Sequence, residues 1–192
     1  MSHFFAYLAR MKFIQRWGLM RNTQPENIQE HSLQVAMIAH ALALIKNKFF
    51  AGAVDPERTA ILAMFHDAGE VITGDLAAPI KYFNPQIKAA YGEIERVANQ
   101  RLYQMLPEEL KPDYYPLFFH QAEDGEQWEL VKAADKISAY LKCVEEIKAG
   151  NQEFIQAEKA LRATIAELDL PEVAYFMEKY GPSMALTLDE LN

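Results

Sequence analysis

Between His66 and Asp75 the chain places one imidazole and three carboxylates: His66, Asp67, Glu70 and Asp75. Gly69, Thr73 and Gly74 lie among them, and the apolar run Ala60 to Phe65 leads in. Two more side chains of the same kind, His31 and Asp135, stand on the apolar faces of other predicted helices. Each has an ordinary explanation when taken alone. A histidine on an apolar stripe is commonly hydrogen-bonded packing, a buried aspartate is commonly paired with a cation, and His-Asp is a frequent dipeptide. Together, His31, His66, Asp67 and Asp135 form a mixed nitrogen and oxygen set that suits one divalent transition metal such as Co, Mn, Ni, Fe or Zn. Four protein donors leave positions open on an octahedral ion, and water there becomes a nucleophile near neutral pH.

The elements that must position these groups are helical. Ile28, His31, Val35, Ile38, Leu42 and Ile45 recur at three- and four-residue steps, which predicts a helix from Asn27 to about Lys48 with His31 one turn in. Asp55-Pro56-Glu57 reads as a helix start with Asp55 as the cap. That helix carries Ile61, Leu62 and Phe65 and ends at His66-Asp67. Thr73-Gly74-Asp75 turns the chain, and Pro79 is expected to keep it extended.

Further helices are expected over Phe4–Arg16, Pro85–Met105, Gln127–Lys148, Phe154–Leu168 and Pro171–Tyr180. The second of these carries the stripe Ile87, Tyr91, Ile94, Ala98 and Leu102, and the next, with Trp128, Val131, Ala134 and Ile137, carries Asp135. Pro107, Pro112 and Pro116 are expected to break the chain between those two, and Glu123 to Glu126 to form a solvated loop. No stretch alternates with period two. The fold class is therefore all-α, a compact single-domain bundle of about seven helices over residues 1–192.

Composition narrows the function. A net charge of −8 and 51% hydrophobic residues describe a globular protein that does not grip a nucleic acid polymer through its surface. No run approaches the roughly 18 apolar residues of a membrane span. The single cysteine, Cys143, permits no internal disulfide and suits a reducing, cytoplasmic location. Exposed aromatics such as Tyr114, Tyr115, Phe118 and Phe119 are candidates for an interface between copies.

His31, His66-Asp67 and Asp135 match the H…HD…D pattern of HD-domain metal-dependent phosphohydrolases. Over nearly the whole chain the sequence resembles the bacterial 5′-deoxynucleotidases of that superfamily. The likeness is carried by Arg16-Trp17, Glu30 to Ala36, His66 to Glu70, Gly74-Asp75-Leu76, Pro79 to Asn84 and Ala139 to Cys143. The resemblance implies hydrolysis of 2′-deoxyribonucleoside 5′-monophosphates to deoxynucleoside and phosphate, with one divalent metal, in a homodimer. It implies that His31, His66, Asp67 and Asp135 hold the metal and lie against the substrate.

Under the resemblance Arg16 meets the phosphate, as a planar guanidinium fork suits. Trp17 walls the sugar and leaves no room for a 2′-hydroxyl. Glu70, three residues after Asp67, orients the water or carries the proton to the leaving 5′-oxygen. Asp75 accepts from the 3′-hydroxyl. Leu76, Ala77 and Ala78 complete the substrate contacts, the last two through backbone amides, since the family more often carries Pro-Thr there. A triphosphohydrolase or cyclic-nucleotide phosphodiesterase would want more cations than Arg16, Arg21 and Lys81 supply, and a non-catalytic nucleotide sensor would have no need of the full ligand set.

Overall fold

The computed structural model describes residues 1–192 and contains no strand; its β-type pairing is one antiparallel bridge between Gln15 and Asn27. In chain order the α-helices are α1 (Phe4–Leu8), α2 (Ile28–Phe49), α3 (Pro56–Phe65), α4 (Glu70–Thr73), α5 (Ala78–Lys81) and α6 (Pro85–Tyr103). They continue as α7 (Lys111–Phe118), α8 (Gly125–Lys148), α9 (Ile155–Ala166) and α10 (Pro171–Tyr180). No helix is long and apolar enough to cross a membrane.

The chain divides into two compact units. The first comprises Met1–Arg21, Pro25–Leu33 and Met64–Asp124. Its core is aromatic: the Phe4 ring, fully buried, stands edge-on to Tyr114 at 5.2 Å and to Phe118 at 5.9 Å, and Phe65 meets the same two rings. Tyr114 and Phe118 are thus committed to this core, which corrects their assignment to an interface; Tyr115 remains exposed.

Several local expectations in this unit are revised. The first helix stops at Leu8 and not at Arg16, and a 3₁₀ turn follows at Met11–Phe13. The reason lies downstream. The backbone N–H of Arg16 donates to Glu26 O (2.9 Å) and that of Ile28 to Ile14 O (3.0 Å), so residues 14–16 run extended beside 26–28. Pro79 does not hold the chain extended; it sits in the first turn of α5, where its missing N–H has no helical partner to lose. Pro112 plays the same part in α7, and Pro116 is accepted inside that eight-residue helix, which the aromatic core holds in place. Ile94, expected on the buried face of α6, is 51% exposed.

The second unit comprises Asn22–Gln24, Gln34–Ala63 and Gly125–Asn192. Here the expected elements are observed with small shifts. Asp55 caps α3 by accepting from the Arg58 N–H (2.9 Å), and Gly150 stops α8 at φ 87°. Helix α8 starts two residues earlier than expected, with Asp124 just before it buried. Leu42, Leu62, Leu130, Ile137 and Phe154 are fully buried.

This core also holds a buried ion pair that hydrophobic periodicity does not reveal. The Glu146 carboxylate accepts from Lys142 Nζ (2.5 Å), the Thr23 N–H (2.9 Å), Thr23 Oγ1 (2.7 Å), the Gln24 N–H (3.1 Å) and Asn151 Nδ2 (2.8 Å). Burial would push this carboxyl up, but the hydrogen bonds from Lys142, Thr23 and Asn151 outweigh it and hold it well below the usual range. Removing one partner leaves the other charge buried, so Glu146→Ala is expected to destabilise the protein by about 3–5 kcal/mol. Urea denaturation of the variant beside wild type measures this; a change within about 0.5 kcal/mol, the range usual for surface sites, would contradict it.

Candidate metal centre

His31 reaches its place because α2 starts where it does. The Asn27 side chain accepts from the N–H groups of Gln29 (3.0 Å) and Glu30 (3.1 Å), and Glu30 Oε2 accepts in return from the Asn27 N–H (3.4 Å). This reciprocal cap fixes the first turn, and His31 follows it into full burial. His66 and Asp67 stand immediately beyond α3. There the chain tightens into successive three-residue turns: Ala68 N–H to Phe65 O, Glu70 N–H to Asp67 O and Ile72 N–H to Gly69 O, each 3.0 Å. These turns carry Glu70 round to the side of Asp67. Gly69 permits a close approach there: a Cβ at this position would lie 2.4 Å from Asn99 Oδ1, so a larger residue would displace the Asn99 side chain.

The result is a convergence on one carboxylate oxygen. Asp67 Oδ2 lies 3.1 Å from His66 Nε2, 3.6 Å from His31 Nε2 and 3.5 Å from Arg16 Nη1. The donor atoms of His31, His66 and Asp67 all lie within 4.8 Å of one another, a spacing that one ion can span. Burial would raise the Asp67 carboxyl, but His66, His31 and Arg16 hold it well below the usual carboxylate range.

Glu70 shows the opposite displacement. Burial, then the charges of Asp67 and Asp75, push its carboxyl up to about 9, with Arg16 and Lys81 offsetting only part. Its Oε2 is buried and has no hydrogen-bond partner. Asp75 is also raised, by burial first and by Asp67, against the pull of Arg16 and of the Trp17 backbone N–H. A pocket with an excess of carboxylates, two imidazoles facing one of them, and a buried carboxyl oxygen left over fits a divalent cation on charge and on donor type.

The remaining expected residues fall as follows. Arg16 and Trp17 stand beside Glu26, whose Oε2 accepts from Arg16 Nε (3.0 Å) and Trp17 Nε1 (3.1 Å). Trp17 adopts φ 60°, a left-handed backbone that is uncommon for a bulky residue and costs on the order of 1–3 kcal/mol. Leu76 and Ala77 are half-buried after Asp75, and Ala78 is exposed at the start of α5. Asp135 lies on α8, half-buried.

Sequence reasoning did not find Glu26, because it lies in a loop and its partners are nine and ten residues back. It also passed over the part Tyr91 plays: its hydroxyl donates to Gly74 O (3.3 Å) and supports the turn that carries Asp75. Lys81, noted only as a nearby cation, is tied to Glu95 (2.7 Å) and adds positive charge to the same pocket. Burial would lower its ammonium, and the Glu95 hydrogen bond outweighs that and raises it.

Comparison with known proteins identifies the fold. A crystal structure of an HD-domain phosphohydrolase from Listeria innocua superposes with a TM-score of 0.81 at 23% identity, over 95% of this chain and 88% of that one. A cyanophage S-2L HD phosphohydrolase bound to dA and one catalytic Zn²⁺ ion superposes with a TM-score of 0.66 at 20% identity, over 95% and 96% of the two chains. The fold is that of the HD-domain phosphohydrolases.

The sequence narrows this further. A family model described as 5′-deoxynucleotidase YfbR-like matches residues 3–184. A 5′-deoxynucleotidase of Vibrio cholerae is 57% identical over 191 residues, covering 100% of this chain and 98% of that protein. One from Yersinia pestis is 56% identical over 192 residues with the same coverage. This chain belongs to the YfbR-like 5′-deoxynucleotidase family.

The Glu70 displacement has a consequence for stability in metal-free protein. Its folded value of about 9 lies above the unfolded carboxyl value near 4.5. Between these the unfolded chain ionises while the folded chain keeps its proton, so the contribution of Glu70 becomes less favourable as pH rises through that window. Glu70→Gln removes this term. The metal-free variant is expected to match wild type near pH 4 and to gain on it steadily toward pH 9, as read by chemical denaturation after chelation. Parallel stability curves would contradict the assignment.

Proposed function

We propose that this protein is a 5′-deoxynucleotidase, hydrolysing 2′-deoxyribonucleoside 5′-monophosphates to deoxynucleoside and inorganic phosphate. The observation that carries the reading is the approach of His31, His66 and Asp67 donor atoms to within 4.8 Å of one another beside the Arg16 guanidinium. Family membership supports it.

In this reading His31, His66 and Asp67 hold one divalent metal and also face the substrate phosphate. Asp135 is proposed as the fourth ligand, on the strength of the H…HD…D pattern. When bound, the ion supplies Lewis acidity toward a phosphoryl oxygen and a water of lowered pKa. The metal could be Co, Mn, Ni, Fe or Zn; the donor set accepts each of them.

The chain's own residues do the rest. Arg16 is the cation for the dianionic phosphate; its Nη1, now turned toward Asp67, is the end of the fork presented to phosphate oxygens. Glu70 is assigned to hand a proton to the leaving 5′-oxygen, a role in keeping with the raised proton affinity that burial and its neighbouring carboxylates give it in the metal-free protein. Trp17 walls the sugar, and Asp75 accepts from the 3′-hydroxyl. Leu76, Ala77 and Ala78 line the substrate through main-chain groups, neither alanine having a hydroxyl to offer. Positioning and charge stabilisation together carry phosphoryl transfer.

We further take residues 1–192 as one phosphohydrolase domain that acts as a homodimer in the cytoplasm, where Cys143 stays reduced. The partner in catalysis is a small nucleotide, not a nucleic acid polymer or a membrane, in keeping with the net charge of −8.

Phosphate release from deoxy- and ribonucleoside monophosphates, with single metals restored to chelator-stripped protein, tests the reading. Deoxynucleotides are expected to be cleaved in preference, and no release with any metal would overturn it. His66→Ala and Asp67→Ala are expected to lose turnover and metal content together, and Asp135→Ala to lose metal content. Glu70→Gln is expected to keep its metal and slow turnover by about a hundredfold or more; normal turnover in that variant would remove Glu70 from the mechanism.

A further inference from the structure

We infer that Glu26 is a positioning residue that sets phosphate capture and deoxyribose discrimination together. The inference rests on the assignment of Arg16 to phosphate and Trp17 to the sugar, and extends it to a residue with no contact to substrate in that assignment.

One carboxylate oxygen, Glu26 Oε2, accepts from both Arg16 Nε at 3.0 Å and Trp17 Nε1 at 3.1 Å. The backbone of Glu26 makes a third link, its carbonyl accepting from the Arg16 N–H at 2.9 Å. Both charged side chains are mostly buried, 12% exposed for Arg16 and 13% for Glu26, so the pair is shielded from water and its geometry is well defined. A flexible arginine held only by its Nη atoms can swing about its long stem. Gripping Nε instead fixes the plane of the guanidinium and directs its other edge, with Nη1, toward Asp67 at 3.5 Å.

The indole is fixed by the same atom. Trp17 is held at φ 60°, a conformation that persists only where surroundings enforce it. Two restraints do so: the Glu26 carboxylate on the ring N–H, and Asp75 taking the Trp17 backbone N–H. Glu26 is itself anchored. It precedes Asn27, the cap of α2, and lies in the bridged segment opposite residues 14–16. Its carboxylate therefore ties two substrate-facing side chains to the element that carries His31.

A merely structural role predicts loss of active protein with unchanged KM and unchanged substrate preference. A positioning role predicts that both move, with metal content intact. The experiment is steady-state kinetics of Glu26→Ala and Glu26→Gln on one deoxynucleoside monophosphate and its ribonucleoside counterpart, with metal content measured alongside. For Glu26→Ala, KM for the deoxynucleotide is expected to rise about tenfold, as loss of a charge-assisted hydrogen bond implies, and the deoxy-to-ribo ratio of kcat/KM to fall severalfold. Glu26→Gln keeps an acceptor oxygen for the indole but loses the charge, so KM is expected to rise while the ratio is largely kept.

Unchanged KM and ratio in Glu26→Ala, or a drop in kcat alone, overturns the inference. If Glu26→Ala does not fold, an unchanged KM in Glu26→Gln overturns it instead. Failure of wild type to cleave any deoxynucleotide would be a separate result, striking the functional reading and not the role of Glu26.

Discussion

Three carboxylates, Asp67, Glu70 and Asp75, sit close enough to alter one another's affinity for protons, in a setting largely shut off from water. Like charges in such a place repel strongly, and the fold has to offset that repulsion. Arg16 and Lys81 do so in part. The rest is met by protonation, which leaves Glu70 neutral over most of the pH range, and by two imidazoles turned toward Asp67. A site of this kind is poised for a divalent cation. The same arrangement that burdens the metal-free protein becomes favourable once positive charge enters.

Local geometry around that site follows from the need to deliver groups from separate stretches of one unit. The reciprocal Asn27–Glu30 cap starts α2 so that His31 falls one turn in. The chain after α3 tightens so that His66, Asp67 and Glu70 share a side, with Gly69 leaving room for the Asn99 side chain. The bridge between 14–16 and 26–28 brings Arg16 and Trp17 up beside them. Tyr91 then supports the Gly74–Asp75 turn from α6. Each device is short-range, yet together they gather residues separated by tens of positions in the chain.

Much of this was legible in the amino-acid sequence, and the pattern of what was not is physical. The helices with strong periodicity or clear caps, α2, α3, α8 and α10, are found where spacing and the Asp55-Pro56 and Pro171 starts put them. Of the four residues grouped by type, His31, His66 and Asp67 have donor atoms within 4.8 Å of one another, while Asp135 remains a proposal, and the all-helical class holds. At positions 79, 112 and 116 proline reads in sequence as a breaker, whereas a first-turn proline sacrifices no helical bond, and packing can hold a short helix around one further in. Ile94 misled because periodicity marks a face without saying how wide a stripe of it is covered. Glu26 and the Lys142–Glu146 pair were invisible for a different reason. A charged side chain that is buried by its partners looks, in sequence, the same as one that faces water.

The central claim is that His31, His66 and Asp67 ligate a single divalent ion. X-ray diffraction at the absorption edge of manganese, on crystals of chelator-stripped protein soaked with Mn²⁺, tests it most directly. The account predicts one anomalous peak per chain, within coordination distance of His31 Nε2, His66 Nε2 and an Asp67 carboxylate oxygen. A peak elsewhere on the molecule, with none between these three side chains, would contradict it.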